Sequence, residues 1–486
     1  MSSSPISRRQ FLAVLAGTAA AAGLSACSPP WQQAGTAARP LSPTGPVKQR
    51  IALRAGVTEL DLAGRIVSAW AFGGELPGRA IRAKVGDRVT ITVTNDLPEP
   101  TSVHWHGLAV PNPMDGVPGV TTPAISPGQS FTYDFVVPDS GTHWFHPHTG
   151  LQLDTGLYAP FIVDDPADPG DYDREWILVL DDWTQGVGPD PQQIYDGLVA
   201  AGEAAARGGM MGGGPMPGMG HMGMAGGDVD YPMFLINGRA PADPDRLRVT
   251  PGDRVRLRII NAGADTMFTV AVGGHQMLVT HSDGYPVQQV AAQSLRIGMG
   301  ERYDVILEVG DGVFPVVAEP VGKPGRAVAV LRSASGSLPT AARPAGLSGY
   351  PLTADTLQAD PAAGLPVAPA QATHDLVLSG SMAPYIWTIN GATYDRAQPL
   401  MVDAGQAVRL RLSNMSMMSH PVHLHGHTFQ IGAAGGPGAR KDTLLLAPMV
   451  RAEVSLEADN PGKWMLHCHN AYHAEAGMMT RLDYTT

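Results

Sequence analysis

An all-β chain of three homologous Greek-key sandwich or barrel domains is the fold class this sequence predicts, on three observations. Hydrophobic residues make up 44% and charged residues only 16% of 486 positions, with 58 Gly and 43 Pro. That balance favours short strands broken by turns over long solvated helices. The length suits about three domains of roughly 150 residues. Most telling, one pattern occurs three times: Val85-Gly86-Asp87-Arg88-Val89-Thr90-Ile91-Thr92-Val93-Thr94-Asn95, Pro251-Gly252-Asp253-Arg254-Val255-Arg256-Leu257-Arg258-Ile259-Ile260-Asn261 and Ala404-Gly405-Gln406-Ala407-Val408-Arg409-Leu410-Arg411-Leu412-Ser413-Asn414. Each copy is a Gly turn and then a period-2 strand that ends at Asn. The glycines lie 166 and 153 residues apart, a domain spacing and not a solenoid spacing.

Taken in order, the chain opens with a targeting segment. Ser7-Arg8-Arg9-Gln10-Phe11-Leu12 precedes an apolar stretch that closes on Leu24-Ser25-Ala26-Cys27, the pattern of a twin-arginine signal for export of folded proteins. Its end reads as a lipoprotein processing site with Cys27 acylated; ordinary cleavage beside an unmodified Cys27 is the alternative. Residues 28–45 read as a flexible tether, 46–168 as domain 1, 169–338 as domain 2, 339–372 as a linker and 373–486 as domain 3. A stretch of Gly, Ala and Met at about 200–228 interrupts domain 2 and reads as having no fixed fold. No later stretch offers the ~18 apolar residues of a membrane span, so the expected product is soluble or lipid-anchored, and a monomer. A net charge of -11 without a basic run argues against nucleic acid as a partner. The two cysteines, Cys27 and Cys468, stand in such different contexts that a disulfide between them is not expected.

Histidine carries the chemistry. Four separate His-X-His pairs occur among sixteen histidines, His104/His106, His146/His148, His423/His425 and His467/His469, with His427 making an overlapping fifth beside His425, where chance would supply roughly half a pair. In an extended strand residues two apart share a face, so each pair can present two imidazoles to one metal-rich pocket. In His467-Cys468-His469 the same alternation sends the thiolate to the other side. His420 has odd offset from His423 and His425, and so groups with Cys468, while His423 and His425 group with His467 and His469. His473 follows Cys468 by five residues, and Met478 follows His473 by five. Two imidazoles, a thiolate and a thioether make a trigonal set suited to copper cycling between two oxidation states. Zinc, which does not change oxidation state, would leave the other pairs unexplained.

These four segments resemble the copper-binding signatures of the multicopper oxidases, most closely the three-domain bacterial copper-resistance and cuprous oxidase (laccase-like) type with exported actinobacterial lipoproteins. The resemblance implies cupredoxin-like domains and four copper ions. It implies type 2 copper on His104 and His423, a type 3 pair on His106, His146, His148, His425, His467 and His469, and type 1 copper on His420, Cys468 and His473 with Met478 axial. It implies one-electron oxidation of substrate coupled to four-electron reduction of O2, with the cluster in the seam between domains 1 and 3 and domain 2 as spacer. Asp115 takes the place of the family carboxylate that tunes the cluster and moves protons. The family's second acid is missing, since Ala474 follows His473 and Glu475 is displaced by one residue.

Methionine points to the electron donor. Met210, Met211, Met216, Met219, Met222 and Met224 crowd the insertion, and Met417 and Met418 precede His420; thioethers select Cu(I). In cuprous oxidases a substrate copper docks on a Met and an Asp ahead of that His. Met418 matches, but Ser416 stands in place of the Asp, and the family's Met-rich insertion lies in its third domain. An unliganded Gly/Met loop and ordinary packing of Met417 and Met418 are the competing readings. The expectation is a cuprous oxidase serving copper tolerance in the periplasm or envelope, with phenols as side substrates. Its rivals are a general laccase for phenols and aromatic amines, a non-catalytic copper-sequestering protein, and a scaffold that has lost its metals. His143, His427, His275, His281 and His374 read as structural, and Asp442 as a hydrogen-bonding residue near the type 1 loop.

Overall fold

The repeated pattern forms the central strands Arg88–Asn95, Arg254–Asn261 and Ala407–Asn414 of a computed structural model that describes residues 43, 45–165, 168, 170–207, 226–338 and 343–485. Gly86, Gly252 and Gly405 enter them with φ of 85°, 90° and 78°, a region where any Cβ is strained. Each central strand pairs parallel with the first long strand of its domain (Val47–Leu62, Arg174–Trp183, Ala372–Met382). On its other edge each pairs antiparallel with a later strand (Ser130–Val136, Arg302–Glu308, Arg451–Glu457). One register scheme is thus built three times.

The terminal Asn explains itself in the same way. Asn95 donates to the carbonyls of Glu99 and Ile125 and accepts from Leu97 N. Asn261 donates to Thr266 and Ile297 and accepts from Gly263 N. Asn414 donates to Met418, Leu446 and Ala447 and accepts from Ser416 N. A buried amide that satisfies loop groups which would otherwise be stranded away from water is worth keeping at each strand end.

Each domain is a pair of facing sheets, of four and four, six and five, and six and five strands. Helix among the described residues is confined to Pro191–Arg207, Ala471–Glu475 and short 3-10 turns. Two expectations shift. The helix Pro191–Arg207 runs into the first part of the insertion, because Ala-rich 199–206 favours helix and Leu198 and Gly202 are buried. The linker is docked: Leu352 exchanges backbone hydrogen bonds with Ser294 and Arg296, and Leu347, Ala354 and Leu357 are buried. Cys27, the signal, and Met210 to Met224 lie outside the described residues. Among the described residues no helix is long and apolar enough to cross a membrane.

Candidate metal centre

Strand register delivers the imidazoles. His104 stands opposite His146, and His106 opposite Trp144, between His104–His106 and Gly141–His146. Trp105, between the pair, turns to the other face and packs on Tyr133, Phe135, Phe145 and Phe161. In domain 3 His423 stands opposite His467, and Val422 opposite Cys468. The two domains meet on these faces: His104 stacks on His425 with ring centroids 3.7 Å apart, and His106 on His423 at 3.8 Å.

Four clusters of histidine or cysteine result: His104, His106 and His423; His106, His146 and His469; His148, His425 and His467; and His420, Cys468 and His473. Cys468 joins a different cluster from both neighbours. Its Sγ lies 3.6 Å and 3.7 Å from the Nδ1 atoms of His420 and His473. His467 Nε2 lies 3.4 Å from His148 Nε2, and His469 Nε2 lies 3.4 Å from His146 Nε2.

Hydrogen bonding sets which ring nitrogen faces inward. The Nδ1 atoms of His104, His146, His423 and His467 each have a carbonyl acceptor, on Asp115, Pro147, Asp442 and Cys468 at 3.0, 2.9, 2.9 and 2.8 Å. His425 Nδ1 meets both oxygens of Asp115 at 3.2 and 3.1 Å. With Nδ1 donating, each Nε2 keeps a lone pair, yet His104 and His423 bring theirs to 3.4 Å, and His425 and His467 to 3.1 Å. Two lone pairs at that distance repel unless a cation lies between them, and the donor set fits copper. His106 is reversed: its Nε2 meets Asp442 Oδ1 and Thr443 Oγ1, both at 3.0 Å, and its Nδ1 is buried without a partner. Burial and crowding by other imidazoles hold His106, His146, His148, His425, His467 and His469 well below the usual histidine range, the neutral form a metal needs.

The thiolate cluster is oriented by hydrogen bonds of its own. Asn470 caps the helix Ala471–Glu475 by accepting from Tyr472 N and His473 N, which fixes His473. Its Nε2 donates to Asp228 Oδ2 at 3.0 Å, and His420 Nε2 lies 2.7 Å from Ser416 Oγ, so both Nδ1 atoms face the sulfur. Burial pushes His473 down, yet Asp228 and Cys468 carry it up to about 10. Met478 is fully buried, and its carbonyl accepts from Cys468 N at 3.0 Å. Trp387 lies over the His473 ring at 4.0 Å.

Asp115 sits where the two domains meet, touching His104 and His425. Gly116 follows it because a Cβ there would stand 1.8 Å from Val103 O. Glu475 lines a cavity of about 190 Å³ that also reaches His146, His148, His467 and His469, and burial raises its carboxyl. Met417 is half-exposed and Met418 packs on the domain core. His143 and His427 join no cluster; His427 bonds Tyr484.

Two residues of weight, Arg302 and Asp228, were not found by sequence reasoning, and a third, Asp442, was read as a hydrogen-bonding residue but placed by the type 1 loop. Asp442 lies against the imidazole clusters and not the thiolate loop, and its only signal was its place in Lys441-Asp442-Thr443. Burial would raise it, but the Arg302 fork holds it well below the usual carboxylate range. Arg302 and Asp228 come from domain 2, which is therefore more than a spacer; no sequence spacing links them to the site.

Comparison with known proteins agrees with this geometry. Family models described as multicopper oxidase match residues 56–168, 174–336 and 366–486. The multicopper oxidase MmcO of Mycobacterium tuberculosis is 50% identical over 87% of this chain and 85% of its own. A copper resistance protein A homolog of Pseudomonas syringae pv. tomato is 28% identical over 97% and 98%. The laccase of Botrytis aclada superposes with a TM-score of 0.73 at 27% identity, covering 90% of this chain and 88% of that one.

Proposed function

The chain belongs to the multicopper oxidases, and from that premise we propose that it holds four copper ions and oxidises Cu(I) with dioxygen as acceptor. Type 1 copper would be held by His420, Cys468 and His473, with Met478 assigned as the fourth ligand. Type 2 is assigned to His104 and His423. The type 3 pair is assigned to His106, His146 and His469, and to His148, His425 and His467. Bound copper would supply one-electron uptake at the thiolate and reduction of dioxygen to water at the imidazole clusters.

One observation carries this reading: Cys468 and its two neighbours serve different clusters from one backbone stretch. A few covalent bonds therefore join the electron entry to the imidazoles. The cavity beside Glu475, small and lined by four imidazoles of the type 3 assignment, suits entry of a molecule the size of dioxygen. Asp115 is assigned to orient His104 and His425 and to pass protons.

Cu(I) as donor rests on what surrounds His473. Asp228, which accepts from its Nε2, stands directly after the Met-rich segment, and the helix before that segment packs on the strand Tyr385–Ile389 that carries Trp387. Thioethers so close in sequence to a carboxylate suit a soft cation better than a bulky phenol. The likeness to copper resistance proteins supports a role in copper tolerance. The twin-arginine pattern and Cys27 support export with a lipid anchor, which the mass of the mature N-terminus would test.

Oxygen uptake with Cu(I) and with a substituted phenol tests the substrate. Cu(I) should be oxidised faster, and changing the six methionines from Met210 to Met224 to Ser should slow Cu(I) alone. Equal rates with no effect of the changes would leave a general laccase. Absence of a visible thiolate band on copper loading would remove the whole assignment.

A further inference from the structure

The two imidazoles of the first His-X-His pair share a strand face but are held by opposite ring nitrogens. His104 gives Nδ1 to Asp115 O, while His106 gives Nε2 to Asp442 Oδ1 and Thr443 Oγ1. Nothing in His-X-His dictates that difference. It is decided by what each ring meets, and for His106 that is a carboxylate and the Thr443 hydroxyl that donates to it.

Asp442 has no exposure, and an ionised carboxylate at that depth needs a compensating charge. Arg302 supplies it as a fork, Nη1 to Oδ1 at 2.7 Å and Nη2 to Oδ2 at 2.5 Å. Its remaining donors reach Thr142 O at 3.0 Å in domain 1 and Gly300 O at 3.1 Å in domain 2. The guanidinium is thereby fixed from all three domains. The backbone is shaped around it: a Cβ on Gly107 would lie 2.4 Å from Arg302 Nη2 and 2.8 Å from Asp442 Oδ2. A Cβ on Gly300 would lie 2.9 Å from the His469 ring and 3.0 Å from the His106 ring.

We propose that Arg302, from the domain that supplies none of the clustered imidazoles, is a positioning residue: acting through Asp442, it makes His106 present Nδ1 to the metal cluster. With the carboxylate released, His106 would be free to take the other tautomer, and its lone pair would then point away from His146 and His469. His423 would keep the Asp442 backbone carbonyl at 2.9 Å from its Nδ1 and lose only the carboxylate oxygen at 3.4 Å, so His106 is the ring that turns. The inference rests on the copper assignment above.

The test uses the full copper-loaded chain as wild type, Arg302→Met, Arg302→Lys, Asp442→Asn and the double variant Arg302→Met/Asp442→Asn. Copper count, the visible thiolate band, the type 2 EPR signal and the near-ultraviolet type 3 band are read beside oxygen uptake. Arg302→Met should keep the thiolate band and lose most of the type 2 and type 3 signals, with a drop of about 10–100-fold in cluster affinity or turnover. Arg302→Lys should recover melting temperature more than it recovers those signals, since a point charge replaces a fork. The double variant should be no worse than the poorer single one.

Loss of melting temperature with all copper signals intact would make Arg302 a structural staple and overturn the inference. So would equal loss of the thiolate band and the cluster signals, or additive effects in the double variant. A wild type that binds no copper would instead remove the reading on which the inference rests.

Discussion

His143 offers a test of burial that needs no metal chemistry. It is fully buried, and neither ring nitrogen has a hydrogen-bond partner. Burial, and next the nearby Arg302, lower it to about 4. The unfolded chain titrates this residue near ~6.5. Above that value both states are neutral and its contribution is full. As pH falls through the interval down to about 4, the unfolded chain takes a proton that the folded chain refuses, and stability is lost. At ~1.4 kcal/mol per unit, the loss by the lower limit is about 3 kcal/mol. Set against a melting entropy of ~2 cal/mol/K per residue, this is about 3 °C if the whole chain melts together. The perturbation is His143→Phe, which keeps a planar ring and removes the titration. Scanning calorimetry of both proteins from pH 7 to pH 4.5 should show the variant losing fewer degrees. Parallel curves would refute the argument, because they would mean that His143 is protonated equally in both states.

Other outcomes follow from single contacts. Asn414→Ala strands three carbonyls and frees Ser416, so it should cost about 2–4 kcal/mol and blur the visible thiolate band, while the half-buried Asn112, which donates to Lys463 O, changed to Ala should leave that band unaltered. Asp115→Ala should lower cluster copper affinity or turnover by about 10–100-fold with the thiolate band intact, checked by copper counting and EPR. Stripping copper with a chelator should lower the melting temperature, since free copper at ~1,000 times its Kd adds about 4 kcal/mol to the loaded fold; an unchanged melting curve would speak against sites built into the folded seam.

Much of the site was legible because alternation along a strand is a local rule. His104 and His106 share a face and Trp105 does not, and that follows from residue spacing alone. The same rule separated Cys468 from His467 and His469. The central-strand repeat likewise announced three domains, since a Gly turn, a period-2 run and a terminal Asn are consecutive in the chain. What escaped was whatever depends on packing between domains. Arg302 and Asp442 are 140 residues apart, and Asp228 and His473 are 245 apart; no periodicity connects them. The helix Pro191–Arg207 was obscured for a different reason: its Ala-rich end merges in composition with the Gly and Met that follow. Composition alone also made 339–372 look like a free linker, although Leu347, Ala354 and Leu357 find apolar cover.

Placing the clusters between domains has an energetic logic. An imidazole taken from water must be neutral and must keep one nitrogen bonded, or it costs as much as any stranded polar group. Here the outer nitrogens of His104, His146, His423, His425 and His467 are bonded to oxygens of their own or the facing domain, which leaves their inner lone pairs facing one another. Because Asp115 of domain 1 holds His425 of domain 3, and Asp442 of domain 3 holds His106 of domain 1, each domain fixes rings that belong to the other. Neither could set all of its ring orientations alone. The seam and the site are therefore one construction: closing the domains on each other is the same event that aims the imidazoles, and a cation arriving between them meets donors already turned to receive it.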